Sequence, residues 1–106
     1  MEGKIAEISG DRARLEGNGW SLWATLRATK KRGDDAVALI HVERVRVVEA
    51  PGENHLGMSL RSAFYLGERW EHLFIAGDLR LRVWASEPLP PKDYWVLLPP
   101  DKLWIF

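Results

Sequence analysis

Asp35-Ala-Val-Ala-Leu-Ile-His-Val-Glu-Arg-Val-Arg-Val-Val48 lies over Asp93-Tyr-Trp-Val-Leu-Leu-Pro-Pro-Asp-Lys-Leu-Trp-Ile-Phe106 without a gap, at a constant separation of 58 residues. Leu39 meets Leu97, Glu43 meets Asp101 and Arg44 meets Lys102. Each copy runs apolar, breaks at an acid-base pair, and runs apolar again. Upstream, Gly19-Trp20-Ser21-Leu22-Trp23-Ala24 and Leu79-Arg80-Leu81-Arg82-Val83-Trp84-Ala85 both end on Trp-Ala, and Gly3 answers Gly57. The drifting offsets place small loop insertions between matching strands. The economical reading is one β unit present twice.

The local pattern agrees. Leu79, Leu81 and Val83 alternate with Arg80 and Arg82, and Val45-Arg46-Val47 does the same, as expected of half-buried antiparallel strands. Turn signals separate the runs: Ser9-Gly10-Asp11, Gly17-Asn18-Gly19, Lys31-Arg32-Gly33-Asp34, Pro51-Gly52, Ala76-Gly77-Asp78 and Pro88-Leu89-Pro90-Pro91. This predicts strands near 4–9, 12–17, 20–27, 36–40, 44–49, 57–65, 70–76, 78–85, 94–98 and 103–106. Residues 60–73 also admit a helix with Leu60, Phe64 and Leu73 on one face. Gly67 and the β-favouring Phe64-Tyr65 and Leu73-Phe74-Ile75 argue instead for two strands around a turn. The expected fold class is therefore all-β: two OB-like five-stranded antiparallel units packed into one compact barrel-like domain, the first half about 1–50 and the second about 54–106. The helix that often joins the third and fourth OB strands has no room, because residues 28–34 are short and charged and residues 86–92 carry three prolines.

Composition excludes several classes of function. The 106 residues suit a single core. Fifteen basic and fifteen acidic side chains cancel, so no overall field attracts nucleic acid. Absence of cysteine removes disulfides, thiolate metal sites and thiol nucleophiles. No run approaches the roughly 20 apolar residues of a membrane span. His41, His55 and His72 show no metal-ligand spacing, and no serine sits in a G-x-S-x-G elbow. Gly52-Glu53-Asn54-His55-Leu56-Gly57-Met58-Ser59 falls one residue short of G-x-x-x-x-G-K-[ST], but Met58 stands where a lysine must meet phosphate. The repeat makes this stretch the joint between halves, with Gly52 in the turn and Gly57 opening the second unit. No cofactor is expected in these residues.

Glu2-Gly3-Lys4-Ile5, Ile40-His41-Val42-Glu43-Arg44-Val45, Asn54-x-Leu56-Gly57, Phe64-Tyr65-Leu66-Gly67, Leu79-x-Leu81-x-Val83 and the closing Leu103-Trp104-Ile105-Phe106, in that order, resemble the TOBE (transport-associated OB) domain. In that family it is the C-terminal regulatory part of the ATP-binding subunit of ABC importers. The resemblance implies a non-catalytic regulatory and assembly domain on the cytoplasmic side of the membrane, peripheral to it and not inserted in it. It also implies a homodimer formed through the full-length subunit, permease subunits as partners, and ATP with Mg in an upstream domain. His41, Glu43, Asn54, Gly57, Tyr65 and Gly67 are the positions it marks for interface or regulation. Where the family commonly carries Ile-Arg-Pro-Glu, this chain has Ile40, His41, Val42 and Glu43. Related domains that bind oxyanions place a hydroxyl three residues before the Asn, where this chain has Pro51.

Trp23 and Trp84 fall on the faces opposite the core positions Leu22, Ala24, Leu81 and Val83. Burying such a ring contributes on the order of 2–3 kcal/mol, so a covering surface is expected, either the other half or a partner subunit. The alternative function is a stand-alone OB-type binding module for single-stranded nucleic acid or a small ligand. Trp84 beside Arg80 and Arg82 would then form the stacking platform.

Overall fold

The computed structural model describes all residues 1–106. It is all-β, with ten strands: β1 (Glu2–Ser9), β2 (Arg12–Gly17), β3 (Trp20–Leu26), β4 (Asp35–Leu39), β5 (Arg46–Val48), β6 (His55–Tyr65), β7 (Trp70–Ala76), β8 (Leu79–Ala85), β9 (Asp93–Leu97) and β10 (Trp104–Ile105). Alternation produced these strands as expected: in β8, Leu79, Leu81 and Val83 are buried while Arg80 and Arg82 are exposed. Residues 60–73 form β6 and β7 around a turn in which Gly67 adopts φ 97°, a conformation that disfavours a side chain. One segment differs from expectation. Arg44, expected to open a strand, instead closes a single 3-10 turn over Val42–Arg44, because the chain must change direction there to leave one sheet for the other.

Two five-stranded sheets result. β1-β2-β3-β10-β4 close into a barrel through the β1–β4 ladder, and β5-β9-β6-β7-β8 form a curled, open sheet. The halves therefore exchange their fifth strands: β5 from the first half pairs with β9, and β10 from the second is inserted between β3 and β4. The pairing register shows that the repeat is structural. Trp104 faces Leu39 and Ile105 faces Ala38, while Arg46 faces Leu97 and Val47 faces Val96. A bulge between Ile5 and Glu7 in β1 has its counterpart between Leu60 and Ser62 in β6. Not every ladder is antiparallel, since β10 runs parallel to β3.

The same registers correct two finer alignments. Lys4 pairs with Asp35 where Ser59 pairs with Asp93, so the counterpart of Gly57 is Glu2, and that of Gly3 is Met58. Leu15 faces Leu22 where Phe74 faces Leu81, which makes Arg82 the counterpart of Trp23 and Thr25 that of Trp84. The matching Trp-Ala pairs are thus a coincidence of composition. One continuous core joins the sheets, with Ile5, Leu15, Leu22, Leu103 and Ile105 on one side and Met58, Phe74, Leu81, Val96 and Leu98 on the other. Met58 is fully buried in a strand, which removes the phosphate-loop reading of its neighbourhood.

Candidate functional site

Residues from both halves meet in three places, the first of them the seam between the halves. Asn54 is buried at φ 56°, a left-handed conformation that asparagine tolerates better than most residues. Its side chain replaces a strand. The Trp23 backbone N–H donates to Oδ1 at 2.8 Å, and Nδ2 donates to the carbonyls of Trp23 at 2.6 Å and Leu98 at 2.8 Å. Farther along β3, Thr25 and Arg27 donate to the Leu103 and Ile105 carbonyls, so Asn54 continues the edge of β3 where β10 no longer reaches. Trp23 therefore meets the second half through its backbone, and its ring is half-buried.

A second contact between halves joins the β2–β3 and β7–β8 turns. The ring of Trp20 lies over Gly17, where a Cβ would clash with it, and its Nε1–H donates to Asp78 at 2.6 Å. Gly77 packs so closely on the Asn18 carbonyl that an added Cβ would come within 2.0 Å of it, and the Asp78 N–H donates to the same oxygen. In the sequence Gly77 and Asp78 mark only a turn and Trp20 only a place in the repeat, so none of them stands out as a contact between the halves. The available signal was a large ring three residues after a glycine.

Trp84 is held within its own sheet. Arg69 stacks over it at 4.2 Å and its indole N–H donates to Glu71, so one face is already occupied by an arginine. Tyr65 and Gly67 lie at the β6–β7 tip, where the tyrosine hydroxyl donates to the Gly67 carbonyl. Phe64, Tyr65 and Leu66 are respectively 58%, 61% and 50% exposed there. Gly57 is exposed in β6, across from Trp95. His72 is fully buried. Its Nδ1 donates to the Val83 carbonyl and its Nε2 accepts from the Leu89 N–H, which ties the proline-rich 86–92 segment to the sheet. Its alternation with Phe74 was the sequence signal for burial.

The third place is a cleft of about 500 Å³ on the outside of the barrel. β4 supplies Leu39, the connection after it supplies Ile40, His41 and Arg44, and the C-terminal segment supplies Lys102, Trp104 and Phe106. Only the strand exchange brings these segments together. Glu43 is exposed on the same 3-10 turn but does not line the cleft. The indole N–H of Trp104 donates to the Asp101 carbonyl at 2.9 Å, and Arg27 stacks on its ring at 4.2 Å.

The eight positions singled out in the sequence do not converge on one site. Asn54 and Trp23 meet, Tyr65 and Gly67 share a tip, and His41 belongs to the cleft. No three His, Asp or Glu side chains gather where they could hold a metal ion, and no helix is long and apolar enough to cross a membrane. The only clear ionisation shifts belong to an exposed pair. The Lys4 ammonium donates to Asp35 at 2.8 Å, and this bond, helped by charge attraction, raises the lysine pKa and lowers the aspartate pKa. No protein-family model matches the chain, and no curated protein matches it.

Proposed function

We propose that this chain is a non-catalytic regulatory and assembly domain of an ABC transporter ATP-binding subunit, contributing to subunit dimerisation and to control of solute import. The reading rests on the resemblance of its ordered motifs to the TOBE domain. The structural observation that supports it best is the presence of two OB-like five-stranded sheets interlocked by their fifth strands. Such a unit suits transmitting force or position between attached parts, because neither half can separate without breaking the ladders of the other.

The exposed Phe64-Tyr65-Leu66 tip supplies a surface for assembly, since adjacent large apolar side chains in water favour a protein contact. On this reading ATP and Mg are handled by an upstream domain, the homodimer forms through the full-length subunit, and permease subunits complete an assembly at the cytoplasmic face. The test is the native gene and its product. An in-frame upstream segment carrying G-x-x-x-x-G-K-[ST] is expected, and removing residues 1–106 should weaken ATP-dependent dimerisation as measured by sedimentation. A native start at Met1 with no linked ATP-binding domain would overturn the proposal.

A further inference from the structure

We infer that the cleft between β4, the 3-10 turn and the C-terminal strand binds a small organic carboxylate with an apolar body. Its volume of about 500 Å³ lies within the range of small-molecule sites. Leu39, Ile40, Trp104 and Phe106 form apolar walls, and Leu39 and Phe106 are 58% and 50% exposed, so an apolar ligand would remove considerable surface from water. His41, Arg44 and Lys102 stand around these walls, with no Asp or Glu side chain among the lining residues.

Arg44 and Lys102 are exposed and take part in no ion pair, so both are free to meet an anion at the mouth of the cleft. These two cations occupy equivalent positions in the repeat, and the strand exchange brings both to one cleft. The aromatic wall is set before a ligand arrives, because Arg27 and the Asp101 carbonyl fix the Trp104 ring.

Other occupants fit less well. An inorganic oxyanion would leave the apolar walls wet, and a neutral hydrocarbon would gain nothing from the two cations. A second copy docked symmetrically would bring Arg44 and Lys102 toward their own equivalents, with like charges opposed. A carboxylate head between the cations with its body against Trp104 and Leu39 satisfies both requirements. This inference does not depend on the transporter reading.

Proton–nitrogen correlation spectra of the whole domain would test it, with octanoate and naphthoate as probes below micellar concentrations. Both carboxylates should shift the Trp104 indole and the Leu39 and Ile40 amides saturably. Octanol and octylamine should bind at least about tenfold more weakly, and acetate and inorganic phosphate should leave those signals in place. Arg44→Ala combined with Lys102→Ala removes only exposed charges, so the spectrum elsewhere should be preserved while octanoate affinity falls at least about tenfold. Equal binding of octanol and octanoate would overturn the inference, as would full affinity in the double variant. So would shifts confined to other residues, or concentration-dependent self-association that moves the cleft signals without any probe.

Discussion

Asn54 offers the sharpest test of how the halves are joined. Asn54→Ala removes one acceptor and two donor interactions, leaving the Trp23 N–H, the Trp23 carbonyl and the Leu98 carbonyl without their present partner. A buried group stripped of its partner costs about 1–3 kcal/mol, but water can reach part of the half-exposed Trp23, so these losses total about 2–4 kcal/mol. Alanine in the left-handed conformation adds about 1 kcal/mol, for a total of about 3–5 kcal/mol against the 5–15 kcal/mol of a typical domain. Urea unfolding followed by tryptophan fluorescence measures this loss.

Two companion variants separate the contributions. Asn54→Gly keeps the backbone conformation accessible and should differ from Asn54→Ala by about that 1 kcal/mol. Asn54→Asp keeps size and the acceptor for the Trp23 N–H, but turns a second oxygen toward two carbonyls that now receive N–H groups. It should therefore be at least as damaging as alanine at neutral pH and recover partly in acid, where a protonated carboxyl can donate one bond. If Asn54→Asp at neutral pH matches the wild type, or Asn54→Ala costs less than about 1 kcal/mol, Asn54 does not act as the missing stretch of strand.

The other contacts make smaller, distinct predictions. Trp20→Phe keeps most of the ring but loses the bond to exposed Asp78, and should lower stability by about 1 kcal/mol in the same unfolding assay. Gly77→Ala should cost about 2 kcal/mol or more, since it combines φ 57° with a backbone clash; a neutral effect would show that the turns do not pack as described. His72→Phe should leave the Leu89 N–H without its acceptor and raise hydrogen exchange there while β6 remains protected. The Lys4–Asp35 pair contributes fully above the aspartate reference of 3.8 and below the lysine reference of 10.5. Its contribution disappears as pH falls through the lowered aspartate pKa or rises through the raised lysine pKa. Because both groups are exposed, Asp35→Asn should alter the acid limb of a thermal-stability profile only slightly, and high salt should erase the difference.

The strands were legible because alternation directly records which face is wet. Arg80 and Arg82 between Leu79, Leu81 and Val83 admit few other readings. Exchange of the fifth strands was not legible, since a repeat states which strands correspond but not which sheet each enters. The 3-10 turn was hidden for a related reason: the alternating Val45-Arg46-Val47 suits a strand beginning near Arg44, and only the crossing requires a turn at Val42–Arg44. Asn54 stood out through the family resemblance, whereas its φ of 56° and its two-sided bonding depend on where β3 and Leu98 lie in space. The cleft was half-visible. Correspondence of Arg44 with Lys102 was present in the repeat, but their meeting on one surface requires β10 to lie beside β4.

The connections explain why exchange prevails over two separate barrels. To remain in its own sheet, the chain after β4 would have to fold back so that β5 took the place now held by β10. Instead, His41 is extended, with ψ 136°, and the Arg44 and Val45 N–H groups bond back to His41 and Val42. In the second half Pro99 and Pro100 occupy the matching positions, and Pro100 at the second place of the turn has the fixed φ that such a turn uses. The Lys102 N–H bonds back to Pro99 as that of Arg44 does to His41. Both connections therefore direct their strands outward, and the buried side chains Val45 and Leu103 follow them into the core. Fragments 1–50 and 54–106 should each fold poorly alone and recover β structure when mixed, because each holds the strand that completes the other. Independent cooperative folding of either fragment would refute that argument. The cleft lies where both outward connections meet the barrel, so a ligand between Arg44 and Lys102 would bind across the exchange itself, linking its occupancy to the stability of the interlocked pair.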